Sequence, residues 1–154
     1  MDQTLYEQLS SSDPMLILSS LVVVSDDVKD SQISPEYANT IFHKIMSLLN
    51  HNNYKIRALS FSITEFLFVK NLNDLTDIFE ILPILIFSLA SVNNSIVKSS
   101  NVCLRILFES FDISIWWNEV EHNILYSKSF AIKLYLLSLL ADLKLVVPLA
   151  PIVT

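Results

Sequence analysis

The residues of this 154-residue chain that could do chemistry are few and dispersed. His43, His51 and His122 share no metal-ligand spacing, and only Cys103 and scattered carboxylates could join them. Cys103 lies between Val102 and Leu104 in an apolar run, which suits a small buried hydrophobe. A nucleophilic cysteine would want a nearby histidine and an electropositive setting. Asp26 and Asp27 are adjacent, and Glu119 and Glu121 stand two residues apart. On a helix such pairs diverge, whereas hydrolysis by paired carboxylates needs two of them across a cleft. The chain contains no glycine. The dinucleotide fingerprint, the phosphate-cradling loop and the glycine-flanked nucleophile turn are therefore missing in their usual forms. No metal, no cofactor and no enzymatic activity are expected.

Recognition chemistry is better represented. Tyr54, Lys55 and Arg57 fall in one turn and combine an aromatic face with two cations, a set suited to an acidic protein surface. The plainer alternative is a solvated turn in which Tyr54 covers a joint. Trp116 and Trp117 are adjacent, so on a helix they point about 100° apart and cannot both enter one core. One is expected inside, and the other either anchors an interface or caps the core near a helix start.

Charge and composition narrow the setting. The formal net charge of −6 disfavours non-specific nucleic-acid binding, which needs a basic surface. A single cysteine cannot form an internal disulfide, and the opening MDQTLYEQLSSSD lacks a secretory pattern, so a cytoplasmic, reducing location is expected. The longest charge-free run, 81–97, contains Pro83, Asn93 and Asn94 and falls short of the roughly 20 apolar residues a membrane span requires. No membrane span is expected.

The elements that would position these residues are helices. Hydrophobic residues make up 52% of the chain and charged residues 17%, a balance that buries helices on more than one side. The lack of glycine argues against tight β-hairpins. Asparagine is abundant and is the next best residue for a left-handed helix end. Residues 1–12 read as a flexible lead-in. Asp13-Pro14 and Ser34-Pro35 each place a capping side chain before a proline suited to the first helical position. Pro14 to Ser25 reads as a short helix. Tyr37, Ile41, Phe42, Ile45, Leu48 and Leu49 then recur at three- and four-residue spacing, one apolar helical face that ends at Asn50-His51-Asn52-Asn53. Further helices are expected from about Asn53 to Lys70, from Asp74 to Val92 with a kink at Pro83, through Val97 to Phe111, and over 114–125 and 127–143. The last ten residues, 145–154, carry Pro148 and Pro151 and read as an extended apolar tail.

Short turns make neighbouring helices antiparallel, and pairs recurring every 30 to 50 residues mark a solenoid. Three helices open with a β-branched aliphatic followed by a cation: Ile56-Arg57, Val97-Lys98 and Ile132-Lys133. Aligning the first two dyads also aligns Ile63 with Leu104, Phe66 with Leu107 and Leu67 with Phe108. The turns ahead of the dyads correspond too: His51-Asn52-Asn53, Asn93-Asn94-Ser95 and Ser127-Lys128-Ser129. In this reading the aliphatic packs into the joint between repeats. The cation stands where the helix dipole disfavours it, so it is tolerated, offset or used. The expected fold is all-α, a HEAT/armadillo-like solenoid over 13–144 with helix pairs at 34–70, 74–111 and 114–143 and one helix in front.

Three segments, LLNHNNYKIRALSFSITEFLF, LIFSLASVNNSIVKSSNVCLRILFESF and YSKSFAIKLYLLSLLADLK, resemble HEAT repeats of the TOG type, nearest to those of the CLASP microtubule regulators. The resemblance covers roughly Ser34 to Lys144. It implies a cytoskeletal, non-catalytic module that binds tubulin through aligned intra-repeat turns. By position, Tyr54 would stand for the family's first-turn aromatic, and Lys55, Arg57, Lys98, Lys128 and Lys133 for its basic set. The sequence departs from the family in having about half of its usual six repeats, tyrosine in place of tryptophan, and an acidic balance. A general HEAT or armadillo scaffold for another protein complex is the alternative reading, and the apolar C-terminus suits either one piece of a longer repeat array or an end that docks on a partner.

Overall fold

The computed structural model describes residues 2–144, and among these the only regular structure is helical. The elements are α1 (Gln3–Leu9), α2 (Pro14–Asp30), α3 (Pro35–Met46), α4 (Tyr54–Asn71), two 3-10 turns (Leu72–Asp74 and Ile78–Ile81), α5 (Leu82–Ser88), α6 (Asn94–Ser110), α7 (Ile113–Tyr126) and α8 (Phe130–Leu143). The apolar tail expected at 145–154 lies outside the described residues.

Each long helix begins where a short polar side chain can satisfy the orphan N–H groups of its first turn. Asp13 accepts from Met15, Ser34 from Tyr37, Asp112 from Ser114 and Ser129 from Ile132. Asn53 accepts from both Lys55 and Ile56, and Asn93 from both Ser95 and Ile96. Pro14 and Pro35 fall in the first turns of their helices, where a missing N–H costs nothing.

Neighbours in sequence pack as pairs, α1 on α2, α3 on α4, α5 on α6 and α7 on α8. The second helices of these pairs also pack in order, α2 on α4, α4 on α6 and α6 on α8. Polar contacts cross each of the latter junctions. The Lys70 ammonium donates to the carbonyls of Val28, Lys29 and Ser31, Ser99 Oγ donates to Glu65 Oε2, and Arg105 pairs with Asp142 at 3.4 Å. One continuous apolar core runs beneath, from Leu9 and Leu21 through Phe42, Phe68 and Leu104 to Leu139. Its registry follows the caps. Ser20, Ser60 and Ser100, each seven residues after its cap, are all buried.

Several expectations need correction. The lead-in is not featureless: Gln3–Leu9 is helical, because Leu9 is buried in the core and Ser20 donates to Gln8. The helix from Pro14 continues to Asp30, since Val24 and Val28 extend its buried stripe past the valine run. The segment expected as one kinked helix over 74–92 is two 3-10 turns followed by the short α5. Pro83 lies in the first turn of α5, where it starts a helix instead of bending one. Asparagine does not supply left-handed helix ends. Among the described residues the positive-φ positions are Asp77 and Lys144, while Asn53 and Asn93 serve as N-caps.

Candidate functional site

The capped starts of α2, α4, α6 and α8 share one local design. Asp13, Asn53, Asn93 and Ser129 are spaced 40, 40 and 36 residues apart. The N–H of each cap donates in turn to the side chain two residues earlier: Ser11, His51, Ser91 and Ser127. His51 therefore helps to form the turn, accepting on Nδ1 at 3.0 Å. Side chains bonding this way to nearby backbone explain why glycine is dispensable at these turns.

Two clefts lie between successive turns. The first, about 380 Å³, is lined by Leu49, Asn50, Arg57, Phe87, Ser91 and Val92, among others. The second, about 520 Å³, is lined by Pro83, Phe87, Ala90, Glu119, Lys128 and Ile132, among others. Phe87 and Ala90 border both, so the turns before α4, α6 and α8 follow one another along one edge.

The six residues expected to bind a partner do not all share that edge in the same way. Tyr54 and Lys55 open α4 and are exposed. Arg57 is half-buried and lines the first cleft, with its guanidinium donating to the His51 carbonyl at 3.0 Å. Lys128 is exposed and lines the second cleft, across which Glu119 also lies. Lys133 is half-buried in the first turn of α8. Lys98 breaks the row. Arg57 and Lys133 are each the fourth residue after their caps, whereas Lys98 is the fifth after Asn93. One residue turns a helix by about 100°, so Lys98 leaves the direction the other two share. The caps pair Ile56 with Ile96, not with Val97, and Ile63 with Cys103, not with Leu104.

Sequence reasoning missed the apolar part of the edge. Phe87, Val92 and Phe130 are exposed there, and Phe130 occupies the first position of α8 as Tyr54 does in α4. Counting from the caps instead of the dyads matches Phe130 to Tyr54. Among the described residues the one ion pair is Arg105–Asp142, and no carboxylate lies within 4 Å of the Arg57, Lys98 or Lys128 cations.

Several other chemistry-bearing residues are engaged in packing or local bonds. Cys103 is fully buried, and burial first, then the Glu65 carboxylate, pushes its thiol well above the ordinary value. The Tyr37 hydroxyl donates to Asp27 at 2.9 Å and is likewise pushed up, by burial and then by that bond. Trp116 is the buried member of its pair, stacked on Phe108 with ring centres 4.0 Å apart. Trp117 is half-buried and donates to Glu121. His43 bonds to Thr76, which also donates to Asn39, tying α3 to the 3-10 region. Among the described residues no three His, Cys, Asp or Glu side chains cluster as metal ligands, and no helix is long and apolar enough to cross a membrane. No family model, curated protein or solved structure matches the chain.

Proposed function

We propose that the chain is a non-catalytic protein-binding module, a HEAT-type solenoid of four stacked helix pairs, that engages an acidic protein surface along its edge of turns. The TOG resemblance makes tubulin the first partner to test. Support for the stack comes from the ordered packing of α2, α4, α6 and α8 and from caps repeating at near-constant spacing. The observation that carries the binding reading is the cleft between the second and third turns. There the Arg57 guanidinium is held by the His51 carbonyl, no carboxylate pairs with it among the described residues, and exposed Phe87 and Val92 lie beside it. A fixed guanidinium next to apolar surface recognises a carboxylate better than a free lysine does, because less freedom is lost per bond.

The test is co-sedimentation with microtubules, alongside gel filtration with free tubulin. The native chain is expected to bind at least one form. Arg57→Glu with Lys128→Glu should weaken that binding at least tenfold, and Lys98→Glu should weaken it less. Failure of the native chain to bind either form removes tubulin as the partner. Equal binding by the double variant removes the edge. The scaffold reading is favoured by a different observation, the exposed apolar residues on α2 and α8.

A further inference from the structure

Among the described residues, the outermost helices of the stack, α2 and α8, differ from its internal junctions. Forward contacts come from the twelfth residue after the cap: Glu65 on α4 reaches α6, and Arg105 on α6 reaches α8. The same side of α8 holds Phe130, Leu134, Leu137 and Ala141, at 77%, 52% and 51% exposure for the first three. Their spacing of four, three and four residues keeps them on one stripe. The corresponding stripe on α6 is polar, with Asn94, Lys98, Asn101 and Arg105. A helix that ended the stack against water would be expected to carry polar residues there.

The opposite end is apolar as well. Backward contacts come from Ser99 on α6 and Asp142 on α8. On and beside the equivalent side of α2 stand Met15, Leu16, Val22 and Val23, the two valines at 51% and 49% exposure. Farther along α2, Asp26, Lys29 and Asp30 are exposed, and exposed Lys144 is the C-cap residue of α8. Apolar residues along the first three turns, and a net negative α2 end with Lys144, would therefore meet if one α8 lay against another chain's α2, as α8 lies against α6.

We propose that the chain assembles head to tail, the forward face of α8 in one copy stacking on the backward face of α2 in a second. The proposal rests on the stacked arrangement of the pairs and not on the turn edge. Such a contact joins two different surfaces, so it does not close on itself at two copies.

The test uses the full 154-residue chain and light scattering behind gel filtration, over a range of concentrations. Two blocked variants are made: Leu134→Glu with Leu137→Glu for the α8 end, and Val22→Glu with Val23→Glu for the α2 end. All four positions are exposed, and circular dichroism checks that each variant keeps its helical signal and melting profile. Phe130→Glu and Met15→Glu replace either variant that does not. The native chain is expected to rise with concentration through multiples of its 17.5 kDa mass. Each blocked variant alone stays monomeric, and an equimolar mixture of the two forms a dimer and stops there. A native chain that remains monomeric throughout overturns the proposal. So does an α2-blocked variant that still dimerises alone, since α8 would then pair with itself. Tubulin binding by the Leu134→Glu with Leu137→Glu and the Val22→Glu with Val23→Glu variants, which change no residue of the turn edge, reports separately on the proposed function.

Discussion

Asn53 and Asn93 perform the same task forty residues apart. Each Oδ1 accepts the N–H groups two and three residues on, at 2.9 and 3.3 Å in both cases. Replacing either with alanine leaves first-turn donors without a partner and should cost about 1 kcal/mol, by the usual value of an N-cap. The two losses should add, because each cap serves its own helix. Urea unfolding of both single variants and the double variant checks this. An Asn53→Ala variant as stable as the native chain would contradict it.

Lys70 should be worth more than an exposed lysine usually is. Its ammonium bonds three carbonyls at the C-terminal end of α2, where the helix dipole also favours a cation. Lys70→Met keeps the stem and removes the donors, and a loss of about 1 kcal/mol is expected after allowing for solvent around an exposed group. Amide exchange at Val28 to Ser31 should accelerate in that variant while exchange in α6 and α8 stays unchanged.

Ser100 offers the opposite sign. Its hydroxyl is buried and has no partner among the described residues, unlike Ser60, which donates to the Ile56 carbonyl at 2.7 Å. Removing an unpaired buried polar atom relieves its desolvation penalty, about 1 kcal/mol or more. Ser100→Ala should raise the melting temperature, and Ser60→Ala should not.

Cys103 and Tyr37 should both lower stability as the pH becomes alkaline. Both groups favour their protonated forms in the folded chain, so the unfolded chain binds fewer protons once the pH passes the unfolded values. Their contribution is intact below about pH 8.5 for the thiol and about pH 10 for the phenol, and it is lost progressively above those points. Denaturation curves taken between pH 7 and pH 10.5 should show falling stability. Cys103→Ala should flatten the first part of the fall, even though the smaller side chain lowers stability at pH 7. A disulfide reagent should modify the native thiol only as fast as the chain opens.

The tryptophans should separate cleanly. Trp116 is fully buried against Phe108, so Trp116→Ala should cost about 3–5 kcal/mol through the cavity it leaves. Trp117→Phe loses one bond to Glu121 and should cost far less. Fluorescence of the Trp117→Phe variant, which reports Trp116 alone, should be blue-shifted and poorly quenched by iodide.

The local pattern of this chain was legible residue by residue. Ser34-Pro35 and Asp13-Pro14 announced two helix starts, the three- and four-residue spacing of Tyr37 to Leu49 announced a buried face, and the lack of glycine pointed away from strands. These readings succeed because capping and amphipathicity are decided within a turn or two of backbone. The edge of turns was only half legible. Matching Val97-Lys98 to Ile56-Arg57 slipped the register by one residue, because the eye follows similar side chains while the helix counts from its cap.

Sequence alone determined that the chain is helical, where most of its helices begin, and that its cations cluster near turns. Tertiary structure decided which of those cations share a direction, that Leu9 draws Gln3–Leu9 into the core, and that Pro83 begins a helix. It also decided that Phe87, Val92 and Phe130 stay in solvent while equally apolar neighbours do not. The physical reason is range. Caps and periodicity act through bonds among residues a few positions apart, whereas burial and alignment depend on side chains some forty residues away that meet only when the helices pack.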